Sequence, residues 1–361
     1  MFSELFICML LHHKTMDASG LGPYFEQMRA EDESFVVFAG MRNEGPFIVE
    51  WVSWYRSLGF KVLIATNDCT DHSPELLDRL AEEGWVSHVR HNPNGQSPKR
   101  SAYRAGHNHP LAKSADWVLV CDVDEFLVLH GEDIHTIQDF IGDGERDFVG
   151  MAINWRCFGT GGWKRYNDGL VHRQFRRAGP KSKQANTFFK MLFHRPHEFR
   201  SWSDHSPRQF SGDWRDPKNA VIDSSGNVLE QFSDPDAHPI RYMEARQVTH
   251  RNAQINHYIL RSTESYALKK GTPSPTAGTD RYTDQYYRWH NRNDCKEESA
   301  LQHAARFDPI YEQAMALPGI QRLHHLCCAD YVAALCKNAD RDPQDDPRWQ
   351  KHMQQAQNAP S

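Results

Sequence analysis

Short hydrophobic stretches alternate with amphipathic ones along the first third of the chain. Residues 35–39 form a continuous apolar stretch, which is typical of a buried parallel strand, and similar stretches follow at 61–65 and 117–121. Between them, apolar residues recur at three- and four-residue spacing over 47–58 and 76–80, and this spacing predicts helices. The alternation predicts an α/β fold with a doubly wound, mostly parallel sheet and a helical C-terminal extension.

The pattern becomes less regular after residue 147. We expect a further strand at about 148–154, a helix beginning near His250, and two helices at about 297–316 and 320–337. This pattern predicts four segments: an irregular N-terminal segment (1–33), a main domain (34–275), a C-terminal helical extension (276–337) and a disordered tail (338–361).

Composition excludes several classes of protein. Of the 361 residues, 39% are hydrophobic and 25% are charged, with a net charge of −5, which argues against wholesale disorder, a membrane bundle and general nucleic-acid binding. None of the eight cysteines forms a C-x-x-C pair, and this usage favours reduced thiols in the cytoplasm. The apolar stretch at 6–11 is too short to span a bilayer. We expect a cytoplasmic protein without a transmembrane segment, and peripheral association with the inner face of a membrane is compatible with this composition.

Two carboxylates, Asp122 and Asp124, directly follow the apolar stretch at 117–121. Ligands of parallel α/β sheets bind beyond the carboxyl ends of the strands. Since side chains alternate along a strand, both carboxylates should lie on one side, and a divalent cation that also binds phosphate would relieve their repulsion. The structural alternative is an exposed acidic turn, because a D-x-D sequence occurs by chance in most proteins of this size.

Other polar residues follow the earlier strands. The loop after the first strand contains three of them, Arg42, Asn43 and Glu44. They could hold a base or a ribose, or they could cap the next helix. Asn67 and Asp71, after the second strand, are ordinary turn residues by composition. Arg100 and its basic neighbours could meet a diphosphate or form a solvated helix face.

In this order the motifs resemble those of the GT-A glycosyltransferases of family 2, and most closely the subgroup related to family 92. They are Arg42-Asn43-Glu44, Asn67 to Asp71, Asp122-Val123-Asp124-Glu125-Phe126 and Asn256-His257-Tyr258. The resemblance covers about residues 35–275. It implies a GT-A (Rossmann-like) domain that transfers a sugar from a nucleotide-diphosphate donor to a glycan or lipid-linked acceptor, with Mn²⁺ or Mg²⁺ and usually with inversion. Arg42, Thr66 and Cys69 depart from the family pattern, which leaves the base of the nucleotide open.

The resemblance also suggests roles for single residues. It implies that His257 is the third metal ligand beside Asp122 and Asp124. Lys269 could neutralise the leaving diphosphate. The nucleotide sugar would contact Arg42, Asn43, Glu44, Asn67, Asp71, Arg100, Asp122 and Lys269. A buried structural histidine and a surface lysine are the alternatives for His257 and Lys269.

An inverting transfer needs a base that takes the proton of the acceptor hydroxyl. We assign this role to Asp204, with Glu198 and Asp213 as rivals, and we expect His205 to face the acceptor. Aromatic residues around a glycine-rich turn could stack on a sugar or belong to the core: Trp155, Phe158 and Trp163.

Two other functions fit parts of the pattern. A two-metal phosphohydrolase would also use Asp122, Asp124 and histidines, but it predicts further ligands such as H-x-D motifs at other strand ends. A non-catalytic carbohydrate-binding protein would keep the fold and bind nucleotide poorly. The sequence favours the glycosyltransferase.

Overall fold

The computed structural model describes residues 33–143, 146–232, 240–271 and 280–360. The predicted irregular segment 1–33 lies outside the described residues, except for residue 33. From Ser34 onward the chain forms one compact unit.

One large mixed sheet lies at the centre of this unit. The strands of this sheet and of two small two-stranded sheets (β9 with β10, β7 with β13) are as follows: β1 (Phe35–Met41), β2 (Lys61–Thr66), β3 (Ser87–Arg90), β4 (Trp117–Val120), β5 (Glu125–Leu129), β6 (Gly150–Cys157), β7 (Arg177–Ala178), β8 (Phe189–His194), β9 (Phe199–Ser201), β10 (Arg208–Phe210), β11 (Val221–Asp223), β12 (Ala253–His257) and β13 (Cys295–Lys296). The order in the large sheet is β3-β2-β1-β4-β8-β6-β12-β5, and β11 also pairs with β6. Pairing is parallel except where β8 meets β4 and β6 and where β5 meets β12. The predicted α/β fold with a mostly parallel sheet is confirmed.

Helices cover the sheet and extend beyond it. They are α1 (Gly45–Ser57), α2 (Ser73–Glu82), α3 (Pro98–Asn108), α4 (Pro110–Lys113), α5 (Ile137–Ile141), α6 (Val171–Gln174), α7 (Thr263–Ala267), α8 (Asp284–His290), α9 (Ala304–Ala316), α10 (Ile320–Asn338) and α11 (Pro347–Asn358). A proline in the first turn, such as Pro46 in α1 and Pro74 in α2, suits a position whose N–H has no helical partner. Helix α1 buries Trp51, Trp54 and Tyr55 completely against the sheet.

The predicted helix near His250 is wrong, because this segment leads into strand β12. That strand pairs with β5 on one side and β6 on the other, and all of its residues are buried. Its polar residues Gln254, Asn256 and His257 interrupt the apolar stretch that normally reveals a central strand.

The prediction of a disordered tail is wrong for residues 347–358, which form α11. Asp346 caps this helix by accepting from Arg348 N at 3.0 Å, and Arg348 Nη1 donates to Glu264 Oε2 at 2.7 Å. The helix packs on α10 and buries His352 and Ala356. This helix was not predicted because its composition is mostly polar and its buried face is narrow.

Helices α9 and α10 pack directly on α1. Phe307 and Cys327 belong to the same hydrophobic core as Trp51. The approach is so close that a Cβ atom on Gly45 would lie 2.4 Å from Cys327 Cβ. The C-terminal helices are therefore part of the main core. No helix among the described residues is both long and apolar enough to cross a bilayer.

Candidate active site

The two carboxylates of the acidic motif lie in the tight turn between β4 and β5. Glu125 Oε2 accepts from Asp122 N at 2.7 Å, and Glu125 N donates to Asp122 O at 3.0 Å. The indole Nε1 of the core residue Trp51 donates to the carbonyl oxygens of Asp122 and Glu125, both at 3.1 Å. Helix α1 therefore holds this turn in place, and Asp124 lies within the turn.

Two lysines hold Asp122 from the side. Lys99 Nζ lies 3.1 Å and Lys190 Nζ 3.5 Å from Asp122 Oδ2. Lys190 also lies 2.9 Å from Glu125 Oε2, and its side chain is only 1% exposed. Burial alone would raise the pKa of Asp122, but Lys190 and Lys99 hold this pKa well below its ordinary value. Asp122 is therefore an anion between two cations.

Asp124 faces the strand that carries the predicted histidine. His257 Nε2 lies 3.6 Å from Asp124 Oδ1, and Lys269 Nζ lies 3.5 Å from Asp124 Oδ2. Tyr258 N donates to Asp124 O at 2.8 Å, which fixes the register of β12 against the turn. Burial lowers the pKa of His257 to about 3 although Asp124 opposes this, so its imidazole is neutral at pH 7.

A carboxylate beside a neutral imidazole suits a divalent cation such as Mn²⁺. Asp124 Oδ1 and His257 Nε2 would hold it, whereas Asp122 uses Oδ2 for both of its lysine contacts. In the part of the chain that the structure describes, no three His, Cys, Asp or Glu side chains are already placed to bind a metal. Asp124 and His257 fit such a cation, and the metal-ligand role of Asp122 stays a prediction.

The loops after β1 and β2 are joined side by side. Asn43 Nδ2 donates to Thr70 Oγ1 at 3.1 Å, and Thr70 N donates to Asn43 Oδ1 at 2.8 Å. Asn43 has φ of 57°, a left-handed conformation that asparagine tolerates better than most residues. The two predicted nucleotide loops form one surface, on which Arg42 is exposed.

Asp71 acts as a cap within this surface. It accepts from Gly45 N at 3.4 Å, from Ser73 N at 3.1 Å and from Ser73 Oγ at 2.7 Å. It therefore ties together the starts of α1 and α2, which is the turn role expected from composition. Asn67 Nδ2 donates to Asp68 Oδ2 at 3.0 Å within the same loop. Nucleotide contact by Asn67 and Asp71 stays a prediction.

Glu44 connects the first loop to the segment after β12. Arg261 Nη1 donates to Glu44 Oε2 at 2.9 Å, and the Arg261 guanidinium lies 3.4 Å from the ring centroid of Phe47. Burial raises the pKa of Glu44, although Arg261 and Lys269 oppose this. The motifs at 42–44 and 256–269 therefore lie against each other.

Asp204 lies beside Asp122, because both carboxylates contact Lys99. Lys99 Nζ is 2.7 Å from Asp204 Oδ1, and Tyr103 Oη donates to the same carboxylate. Burial would raise the pKa of Asp204, but Lys99 outweighs it and brings this pKa to about 2. Asp204 is ionised, and at this pKa it is a weak base.

His205 faces the same region with one ring nitrogen engaged. Its Nδ1 donates to Phe189 O at 2.9 Å, so Nε2 carries the lone pair. Burial, helped by Lys190, lowers the pKa of His205 to about 4. The two rival candidates for the base make other contacts. Glu198 pairs with Arg195 at 3.3 Å, and Asp213 accepts from Arg215 N at 2.9 Å.

Basic residues near the acidic turn come from α3 and β8. Lys99, one of the basic neighbours of Arg100 noted in the sequence, reaches Asp122. Arg100 itself is exposed, and its contact with the nucleotide sugar stays a prediction. Lys190 was missed altogether. Its signal was a lone charge inside the apolar sequence Phe188-Phe189-Lys190-Met191-Leu192, which a buried strand tolerates only with a partner.

The three aromatic candidates have different surroundings. The Trp155 ring lies 4.2 Å from that of His257, centroid to centroid. Phe158 is buried against Tyr258 and belongs to the core. Trp163 is partly exposed, and its Nε1 donates to Gln174 O at 3.2 Å.

Comparison with solved structures gives weak global likeness. The chain is similar to S. aureus TarS 1-349, with a TM-score of 0.33, 11% identity, and 90% of this chain and 91% of that chain covered. For S. aureus TarS 1-349 in complex with UDP the TM-score is 0.31 and the identity 13%, over 89% and 91% of the two chains. Likeness at this level carries no argument about the site.

Sequence comparison gives a clearer result. No curated protein matches the chain. Residues 32–268, which include the acidic turn, His257 and both nucleotide loops, match the family "Glycosyltransferase family 92". This confirms the resemblance seen in the motifs, and the chain belongs to glycosyltransferase family 92.

Proposed function

We propose that this glycosyltransferase moves a sugar from a nucleotide-diphosphate donor to a glycan or lipid-linked acceptor, with a divalent cation and with inversion. One observation carries the proposal. The Asp124–His257 pair lies beside Lys269, and Arg261, in the segment that follows His257, donates to Glu44 of the joined loops at 42–44 and 67–71. A diphosphate placed there would meet a cation site and a lysine at once.

The chain's own residues divide the work of binding and leaving-group stabilisation. Asp124 and His257 would hold the cation, which supplies positive charge to the diphosphate when bound. Lys269, which also donates to Ile259 O at 2.8 Å, would face the leaving diphosphate as a fixed positive charge. Asp122, fixed by Lys99 and Lys190, would orient the donor.

We propose that a residue on the other side of Asp122 removes the proton. Asp204 would take the proton of the acceptor hydroxyl, and the lone pair on His205 Nε2 would orient that hydroxyl. Lys99 contacts both Asp122 and Asp204, which supports a base close to the proposed donor site. Because a general base acts in the chemical step, we expect Asp204→Asn to lower kcat more than it changes KM.

The test is a donor panel. The full chain is incubated with UDP-, GDP- and other nucleotide sugars, with Mn²⁺, Mg²⁺ or a chelator, and released nucleotide is measured. We expect metal-dependent release with one donor class, and loss of that release in Asp124→Asn. The matched control is Asp133→Asn, since Asp133 is exposed on the surface. Release that is equal with chelator and unchanged in Asp124→Asn would refute the proposal, and hydrolysis of p-nitrophenyl phosphate instead would favour a phosphohydrolase.

A further inference from the structure

A row of aromatic side chains leads away from the Asp124–His257 pair. The Trp155 ring lies 4.2 Å from the His257 ring, the Phe188 ring is stacked on Trp155 at 5.1 Å, and the Tyr242 ring lies 6.2 Å from Phe188, all between centroids. His205 lies alongside, 5.6 Å from Trp155 and 5.5 Å from Phe188. We call Trp155, Phe188, Tyr242 and His205 the aromatic strip.

The strip is held rigidly by the sheet. Trp155 N donates to Phe188 O at 2.8 Å, which ties strand β6 to the start of β8. Met243 N donates to Thr187 O at 2.8 Å and places Tyr242 beside Phe188. The Nδ1 contact of His205 with Phe189 O fixes that ring on the same strand. Rings that are fixed in this way lose little further freedom when a ligand binds.

Core packing accounts for only part of the strip, since Trp155 alone of its members packs against the main core. Tyr242 is 65% exposed, whereas large hydrophobic side chains are otherwise mostly buried in this fold. Trp155, Phe188 and His205 are half-buried. The strip therefore offers the exposed ring of Tyr242, the accessible parts of Trp155 and Phe188, and an acceptor at His205 Nε2.

Sugars match this combination, because a pyranose presents a face of C–H groups and a rim of hydroxyls. We propose that the aromatic strip is the acceptor subsite and that it binds successive sugar units of a glycan chain. The unit that receives the new sugar lies at Trp155 and His205, next to Asp204, and the preceding unit stacks near Tyr242. The inference rests on the proposed function and deepens it, since it selects an oligosaccharide or polysaccharide acceptor over a single lipid-linked sugar.

The length of the strip supports more than one sugar unit. From Trp155 to Tyr242 it comprises two successive ring contacts with centroid separations of 5.1 and 6.2 Å. One pyranose ring covers one aromatic ring. Affinity should therefore rise with the number of linked sugar units until Tyr242 is reached.

Saturation-transfer NMR and calorimetry on the full chain test this inference. The probes are the mono-, di- and trisaccharides of the gluco, chito, manno and galacto series. In one series we expect the disaccharide or trisaccharide to bind at least about threefold more tightly than its monosaccharide, and Tyr242→Ala to remove this increment. Tyr242→Phe keeps the ring and should keep the increment. Val228→Ala is the matched control, because Val228 is 55% exposed and lies outside the strip.

The outcomes separate this inference from the proposed function. If no series gains affinity with length, or if Tyr242→Ala binds like the unmodified chain, the acceptor subsite is wrong, even where the donor panel shows metal-dependent nucleotide release. If oligosaccharides bind at Tyr242 but no nucleotide sugar is consumed, the strip stands and the proposed transfer reaction fails. Binding of lipid vesicles in place of every oligosaccharide would also overturn the inference.

Discussion

We predict that mild acid destabilises this protein through buried histidines other than His205 and His257. Burial is the largest cause of their lowered pKa values, which fall to about 3 for His303 and His324 and to about 4 for His250, His290 and His352. In the unfolded chain a histidine titrates near 6.5, so the unfolded state takes up protons first. Their stabilising effect is fully present above about pH 6.5 and is lost as the pH falls towards 4.

His324 gives the magnitude for one residue. It is 7% exposed, its Nε2 lies 3.6 Å from Cys328 Sγ, and its Nδ1 has no hydrogen-bond partner. At about pH 5 an unfolded histidine is almost fully protonated while His324 stays neutral, and this difference favours unfolding by about 2 kcal/mol relative to pH 7. Glu44 and Asp71, whose pKa values are raised by burial, act in the opposite direction. Even so, several such histidines together reach the total stability of roughly 5–15 kcal/mol that is usual for a domain.

Urea unfolding followed by circular dichroism at several pH values between about 7 and 5 measures this effect. The free energy of unfolding should fall steeply over this interval. In His324→Leu the fall should be smaller by about 2 kcal/mol. His135→Leu, a substitution at an exposed histidine, is the control and should follow the unmodified chain. A free energy of unfolding that does not change with pH, or the same loss in His324→Leu as in the unmodified chain, would refute the reasoning.

Four further outcomes follow from the site and the core. Asp124→Asn should lower kcat by about 100-fold or more in the donor assay, because the negative charge that develops on the leaving diphosphate is then less well stabilised. His257→Ala should weaken Mn²⁺ binding by at least about tenfold in calorimetry while the melting temperature changes less than in Trp51→Ala. Lys190→Met should lower the free energy of unfolding in urea by roughly 3–5 kcal/mol, because it removes the buried cation that contacts Asp122 and Glu125, and adding Glu125→Gln should restore part of it, since burial already raises the pKa of Glu125 to about 8. Trp51→Ala should lower the same quantity by roughly 3–5 kcal/mol through an unfilled core volume.

Sequence patterns predicted the elements whose hydrophobic period is simple. The strand at 35–39 and the helix that follows it were found within a few residues of their ends, because a parallel strand buried on both faces is continuously apolar. Strand β12 was missed because three of its five buried residues are polar, and some of their partners, such as Ser299 for Gln254 and Asp124 for His257, lie far along the chain. Local periodicity contains no information about such partners.

The site was predicted in part for the same reason. Asp122, Asp124 and His257 were recognised because they stand in short motifs, and the structure places the last two 3.6 Å apart. Lys190 lies 68 positions from Asp122, and only the pairing of β8 with β4 brings the two together. Whether Lys99 or Arg100 contacts Asp122 depends on which face of α3 turns inward.

The placement of β12 also has a consequence for synthesis of the chain. Strand β5, which begins at Glu125, is paired only with β12 among the described strands, and in that pairing Glu125 stands opposite His257. The acidic turn therefore lacks one of its supports until residue 257 has left the ribosome, on the order of 10 s after residue 125 at typical rates of elongation. During that interval the nascent chain carries an unpaired strand next to its most charged turn. A ribosome-bound chain that ends before β12 should thus be more open to proteolysis at the turn than one that ends after it.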